Sequence, residues 1–209
     1  MKIALTPLAL LACLLQGCGV AVVGAGSAAA ITALEDRRTS GTQIEDEGIE
    51  LRAGNRISER FGGKAHVSVT AFNRWVLVTG EVPDEAAKRE IEKIVLAVPN
   101  VRGAANELQV AGASTLGSRT NDAYITSKVK ARFVEARKFN AVHVKVVTEA
   151  AAVFLLGVVT AREAEDAVQL ARTTGGVRKV VKIFEYCKTT DEVCRPRSNP
   201  PAAQPKPAA

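Results

Sequence analysis

The chain contains the same pattern twice, and that repeat limits its architecture more than any other feature. Residues 67–82 read VSVTAFNRWVLVTGEV and residues 144–159 read VKVVTEAAAVFLLGVV, an offset of 77. Val67, Val69, Val76, Val78, Gly80 and Val82 stand opposite Val144, Val146, Val153, Leu155, Gly157 and Val159, and His66 stands opposite His143. Ahead of each run the offset is 76, which sets Ile49, Ala53 and Ile57 against Ile125, Val129 and Phe133. The one-residue difference falls in a loop between helix and strand, where insertions are tolerated. Two copies of roughly 65–70 residues each must therefore fold alike.

Each copy reads as α-β-β-α-β. The i, i+4, i+8 spacing of Ile49/Ala53/Ile57 and Ile125/Val129/Phe133 marks one helical face, with the second of these helices opening at Asn121. Alternation at Val67/Val69 and Val144/Val146 marks strands, and Asn73-Arg74 and Ala150-Ala151 sit at the hairpin turns. Pro83-Asp84 opens a second helix running to about Ala97; in the other copy Thr160 and Glu163 form a capping-box pattern. Closing strands follow at Val101–Val110 and Val177–Tyr186, after the stop signals Pro99-Asn100 and Gly175-Gly176. The predicted class is α+β: two tandem units, each a three-stranded mixed sheet covered on one face by two helices. A unit this size is near the lower limit for independent stability, which favours packing of one copy on the other.

The ends differ from the middle. Residues 1–34 carry one charge, Lys2, and residues 195–209 hold five of the eight prolines. After Lys2 the apolar run Ile3–Leu15 is shorter than the roughly 20 residues of a membrane-spanning helix. It ends Leu-Leu-Gln-Gly-Cys, which resembles the bacterial lipobox except at Gln16. The resemblance implies cleavage after Gly17, a diacylglyceryl thioether and an N-acyl chain on Cys18, and, because Gly19 rather than Asp follows, the outer membrane. Two or more chains suffice for stable anchoring, each buried CH₂ contributing ~0.8 kcal/mol. The organisation expected is a signal peptide (1–17), a lipidated tether (18–43), a first unit (44–111), a linker (112–120), a second unit (121–187) and a disordered Pro/Ala-rich tail (188–209).

Together the lipobox, the segment RRTSGTQIED (37–46), the VTGEV and VFLLGVVTAREAE motifs and NDAYITSKVKARF (121–133) resemble the dual-BON-domain outer-membrane lipoprotein family. The resemblance covers about residues 1–187 and implies no enzymatic activity and no cofactor. It implies a protein on the periplasmic face of the outer membrane that supports envelope integrity and gathers at division sites. The implied partner is anionic phospholipid, phosphatidylglycerol or cardiolipin, held through the second BON domain. The family's lipid-contacting surface, the first helix of that domain, maps onto Asn121-Asp122-Ala123-Tyr124-Ile125. At 100° per residue Ile125, Val129 and Phe133 turn inward. Tyr124, Lys128, Ala131 and Glu135 share an outer face, with Arg132 at its border and Asp122 nearby weakening the positive field. In the first copy Arg52 and Arg56 match Lys128 and Arg132, but Gly48 stands in place of Tyr124. The same residues also fit a solvated face with a partly packed aromatic. The other function weighed is an adaptor for outer-membrane assembly proteins or regulators of cell-wall amidases.

The remaining candidates point to structure. Trp75, with Ala152 as its counterpart, reads as a core or interface residue. The histidines alternate out of phase with the core valines and read as exposed, and no metal site is expected. No G-x-S-x-G motif supports serine catalysis. Glu81, Asp84 and Glu85, like Glu163, Glu165 and Asp166, read as helix-opening acids. Cys187 and Cys194 are a disulfide candidate in an oxidising compartment, a reactive pair being the minority reading. The net charge of +6 suggests nucleic acid only weakly. Arg195, Arg197 and Lys206 of the tail supply half of it, and no aromatic-interleaved basic patch is present.

Overall fold

The computed structural model describes residues 36–195. The signal peptide, Cys18, the tether up to residue 35 and the tail beyond Arg195 lie outside the described residues. The first unit runs α1 (Ser40–Phe61), β1 (His66–Phe72), β2 (Trp75–Val82), α2 (Glu85–Leu96), β3 (Gly103–Asn106) and β4 (Gln109–Val110). The second runs α3 (Leu116–Ala136), β5 (Val144–Glu149), β6 (Ala152–Val159), α4 (Ala161–Arg172) and β7 (Lys179–Tyr186). In each, a two-residue turn gives an antiparallel hairpin, and the strand returning through a helix lies parallel to the hairpin's second strand. The predicted α+β fold of two mixed sheets is what the chain adopts.

Each helical layer closes a separate core. Ile49, Ala53 and Ile57 of α1 and Ile91 and Val95 of α2 pack on Val76, Val78 and Val82. Ile125, Val129 and Phe133 of α3 pack with Ala164, Ala167 and Ala171 of α4 on Val153, Leu155 and Val159. A third apolar cluster joins the opposite faces of the two sheets: Phe72 and Leu77 from the first unit, and Ala152, Phe154, Leu156 and Val158 from the second, with Cys194. Cys194 is bridged to Cys187, pinning the chain after β7 against this cluster. The sheets therefore lie back to back and the helices form the two outer layers.

Polar pairs at the rim give the stacking direction. Lys145, near the start of β5, donates to Glu50 and to the carbonyl of Ala71, near the end of β1. Lys179, at the start of β7, pairs with Glu107 just past β3, while Arg102, just before β3, pairs with Glu185 near the end of β7. So β5 runs opposite to β1 and β7 opposite to β3. Arg37, three residues ahead of α1, crosses to the second unit. It donates to the Val158 carbonyl at 2.8 Å and grips Glu163 through two bonds of 2.7 and 2.9 Å.

Several details depart from the sequence expectations. Both first helices begin earlier than the apolar spacing shows, at Thr39 and Thr115, whose hydroxyls accept from the N–H groups of Thr42 and Ser118. Residues 40–43 of the expected tether and 116–120 of the expected linker are thus helical. The closing strand of the first unit is split, because Leu108 turns into the core between β3 and β4. The expected tail begins in ordered chain, since Glu192–Cys194 forms a 3-10 turn inside the disulfide loop. Glu81 opens no helix. It lies in β2, buried, 3.0 Å from His66 Nδ1. His143 is likewise largely covered, 3.6 Å from Glu163, so neither histidine stands free on the surface.

Candidate functional site

The site expected from sequence lies on α3, a 21-residue helix packed along one side by Ile125, Val129 and Phe133. Its outer side carries Tyr124, 62% exposed, and the ammonium of Lys128 sits 4.4 Å from the centre of that ring. Lys128 also donates to the Gly175 carbonyl. The aromatic and cation are thus arranged by α3 itself and by the loop after α4. Ala131 and Glu135 are exposed, and so is Lys130.

Two residues of the expected constellation have other work. Arg132 reaches across to the end of α4, where its NH1 donates to the Leu170 carbonyl at 2.8 Å and to the hydroxyls of Thr173 and Thr174. It satisfies acceptors at the helix C-terminus, where cations are favoured. In the first unit Arg56 donates to the Ala97 carbonyl after α2 in the same way. This explains a charge common to both copies without any ligand. Asp122 is buried, and its carboxylate accepts from the backbone N–H groups of Ala150 and Ala151 at the β5–β6 turn. That carboxylate faces the turn rather than the outer side of α3.

Sequence reasoning missed Val134. It is 63% exposed and one helical turn beyond Ala131 and Lys130. Leu116 in the first turn of α3 is 80% exposed. Thr120, Ala123 and Ser127 fall along the ridge between them by helical spacing. The signal was present, since Leu116 and Val134 stand off the buried stripe, but a helix expected to open at Asn121 leaves Leu116 in a linker. The resulting face offers an amphipathic ring, two aliphatic side chains and two lysines, with no concavity and no nucleophile beside a base.

Elsewhere the chemistry is sparse. Among the described residues no group of three His, Cys, Asp or Glu side chains could hold a metal ion. Glu163 sits in the capping box with Thr160. Burial works to raise its pKa, but the Arg37 guanidinium and the Thr160 N–H outweigh that and hold it at about 2. Glu149, at the inter-unit boundary, is shifted upward by burial and by the charges of Glu81 and Asp122. Trp75 stands at the edge of the sheet–sheet contact, 39% exposed, rather than in a core. No described helix is long and apolar enough to cross a membrane.

Comparison with known proteins agrees with the duplicated architecture. Residues 46–112 and 121–188 each match the model of the BON domain. The chain is 36% identical over 174 residues to the outer membrane lipoprotein DolP of Haemophilus influenzae, covering 82% of this chain and 90% of that protein. It is 31% identical over 153 residues to a 21 kDa hemolysin of Actinobacillus pleuropneumoniae, covering 72% of this chain and 79% of that one. Among solved structures it is similar to the C-terminal domain of CdsD, a structural protein of the type III secretion system of Chlamydia trachomatis. That likeness has 13% identity and a TM-score of 0.29, covering 72% of this chain and 100% of the other.

Proposed function

Since the chain belongs to the BON-domain family, we propose that it is an outer-membrane lipoprotein that holds its second BON domain against anionic phospholipid. The observation that carries this reading is Tyr124, exposed at 62% under the Lys128 ammonium on a helix already packed from behind. A ring of this type is suited to the headgroup level, where its hydroxyl stays wet and its body meets apolar chains. Val134 and Leu116 extend the apolar ridge, and Ala131 lets the helix approach closely. Lys128 and Lys130 meet phosphates, each worth about 1 kcal/mol near an anionic surface. Arg132 belongs behind this surface, fastening α3 to α4. The lipid anchor expected at Cys18 would keep the protein at the membrane, so the helix face needs only modest affinity to orient it. Support of envelope integrity, with a place at division sites, follows as the role proposed for such an oriented protein.

The test is co-sedimentation with phosphatidylglycerol or cardiolipin vesicles. Tyr124→Ala should lower the bound fraction several-fold with an unchanged melting temperature, and binding should weaken between 50 and 300 mM salt as charges are screened. Unchanged partitioning of the variant would overturn the reading. A second reading, an adaptor for outer-membrane assembly proteins or amidase regulators, has its own support on the other outer layer. On α1, Ile44 and Leu51 are 70% and 66% exposed and one heptad apart. An adaptor would keep its protein partners in a pull-down with Tyr124→Ala while losing vesicles.

A further inference from the structure

We propose that the open edge of β7 binds an extended segment of a partner protein in which apolar and acidic residues alternate. In the order β5-β6-β7 this strand ends its sheet, and no described strand pairs with its other side. Cys187 donates to the Val159 carbonyl, and β7 keeps an unbroken register with β6. Along a parallel ladder only every second residue bonds the same neighbour. Residues 181, 183 and 185 therefore bond β6, while Val180, Lys182, Phe184 and Tyr186 turn N–H and C=O outward. Such a row of unused groups is a template for strand addition, which takes affinity from the main chain and specificity from alternate side chains. The edges of the first sheet are less open. Ala71 on β1 already gives its N–H to Glu50 and its carbonyl to Lys145. The outer strand on the other side is broken into pieces of four and two residues.

The two faces beside this edge ask for different side chains. Towards the first sheet lies a cavity of about 430 Å³ bordered by Phe72, Trp75, Ala105 and Ile183. It exists because β3 turns only Gly103 and Ala105 towards β7, the residues paired with Trp75 and Leu77. Trp75 packs over Gly103, where a Cβ would come within 2.4 Å of the indole ring, and stays 39% exposed. The charges at the rim are spent, since Glu185 is engaged by Arg102 and Asn73. An apolar side chain suits this recess. On the opposite face Val180 and Phe184 pack against the helix-covered core, and Lys182 stands between them. Lys182 is exposed and outside every ion pair among the described residues. Tyr186, 58% exposed, meets the Phe184 ring edge to face at 6.4 Å and flanks the same face. No acid of β7 points that way, because Glu185, its only one, faces the first sheet. An added strand thus meets an apolar recess on one face and an unpaired cation on the other, which dictates the alternation. A second copy would bring the same cation, the guard that edge lysines provide against self-pairing. The chain's own tail repeats that sign in Arg195, Arg197 and Lys206, and its prolines lack the N–H a ladder needs.

The experiment titrates the full chain carrying Cys18→Ser with the end-blocked peptide Thr-Val-Glu-Val-Glu-Val-Thr. Amide exchange is followed by NMR, together with the emission of Trp75, the sole tryptophan. Saturable binding, slowed exchange at Val180, Lys182, Phe184 and Tyr186, and a blue shift are expected. The same peptide with Lys for Glu should bind about tenfold more weakly, equivalent to 1.4 kcal/mol. A peptide N-methylated along its pairing edge should not bind. Lys182→Glu should reverse the preference between the acidic and basic peptides. Tyr124→Ala should bind the acidic peptide like the parent, which keeps this edge distinct from the membrane-facing helix. The proposal fails if nothing saturates, if N-methylation is without effect, or if Lys182→Glu leaves the preference intact. Protection confined to other strands, or loss of binding in Tyr124→Ala, would equally refute it. Slowed exchange that grows with protein concentration and needs no peptide would identify a second copy as the occupant and overturn it too. The peptide comparisons on the parent chain remain decisive should the Lys182 variant fail to fold.

Discussion

Asp122 spends its carboxylate on the N–H groups of Ala150 and Ala151, and Asp46 does the same for Asn73 and Arg74. All four turn residues have positive φ, between 50° and 66°, a conformation that costs an L-residue roughly 1–2 kcal/mol. Two buried carboxylates thus hold two strained turns, one per unit. Asp122→Ala should destabilise the protein by about 1–3 kcal/mol by stranding two donors, read as a lower urea midpoint. Ala150→Asn with Ala151→Gly, the residues such a turn prefers, should raise that midpoint by about 1 kcal/mol. The sequence marks both turns by position but hides their holder, since an aspartate beside an exposed tyrosine reads as surface charge. The exposure of Tyr124 is legible, because Gly48 at the matching place in the other copy singles the ring out. Arg132 was misread because a helix-terminal carbonyl, unlike a phosphate, leaves no trace in its own sequence.

At the level of elements, hydrophobic spacing located each helix by its buried stripe and so missed the first turns of α1 and α3. Those turns project past the sheet and carry no stripe, and only their caps, Thr39 and Thr115, mark where they begin. The hairpins impose a different demand. Gly80 has φ of 117°, and a Cβ there would lie 2.0 Å from the His66 carbonyl oxygen; at Gly157 the corresponding distance to His143 is 2.4 Å. Gly157→Ala should therefore cost at least about 2 kcal/mol by prising β5 from β6, measured by thermal unfolding. The opening of α4 carries a pH dependence. Glu163 falls from the usual 4.5 to about 2 in the folded chain. Its contribution is complete above pH about 4.5 and is lost as pH falls towards 2. Arg37→Ala should melt a few degrees below the parent at pH 7, and the difference should close as pH approaches 2.

Across the whole molecule, back-to-back sheets make the two BON domains one folding unit. β6 is buried at all eight positions, the pattern of a strand covered on both faces. Its sequence, AVFLLGVV, carries that message, but a reading with helices on one face leaves the second face unassigned until the other sheet is seen. The pair should unfold in a single calorimetric transition, and the first domain alone, exposing Phe72 and Leu77, should aggregate. Glu149 provides a finer probe of the boundary. Its raised pKa means that it favours folding below the usual 4.5 and opposes it as pH rises through the shifted value. Glu149→Gln should thus raise the melting temperature at pH 7 and leave it unchanged at pH 4. Arg37 gives the same architecture a mechanical meaning. The first basic residue of the described chain, reached along the chain from the expected anchor at Cys18, is latched to Glu163 of the second domain. A pull arriving through the tether is therefore met by both domains at once, before any turn of α1 bears it alone. The latch makes the paired domains share the load of the membrane's motion, like a strap riveted to the back plate as well as the front.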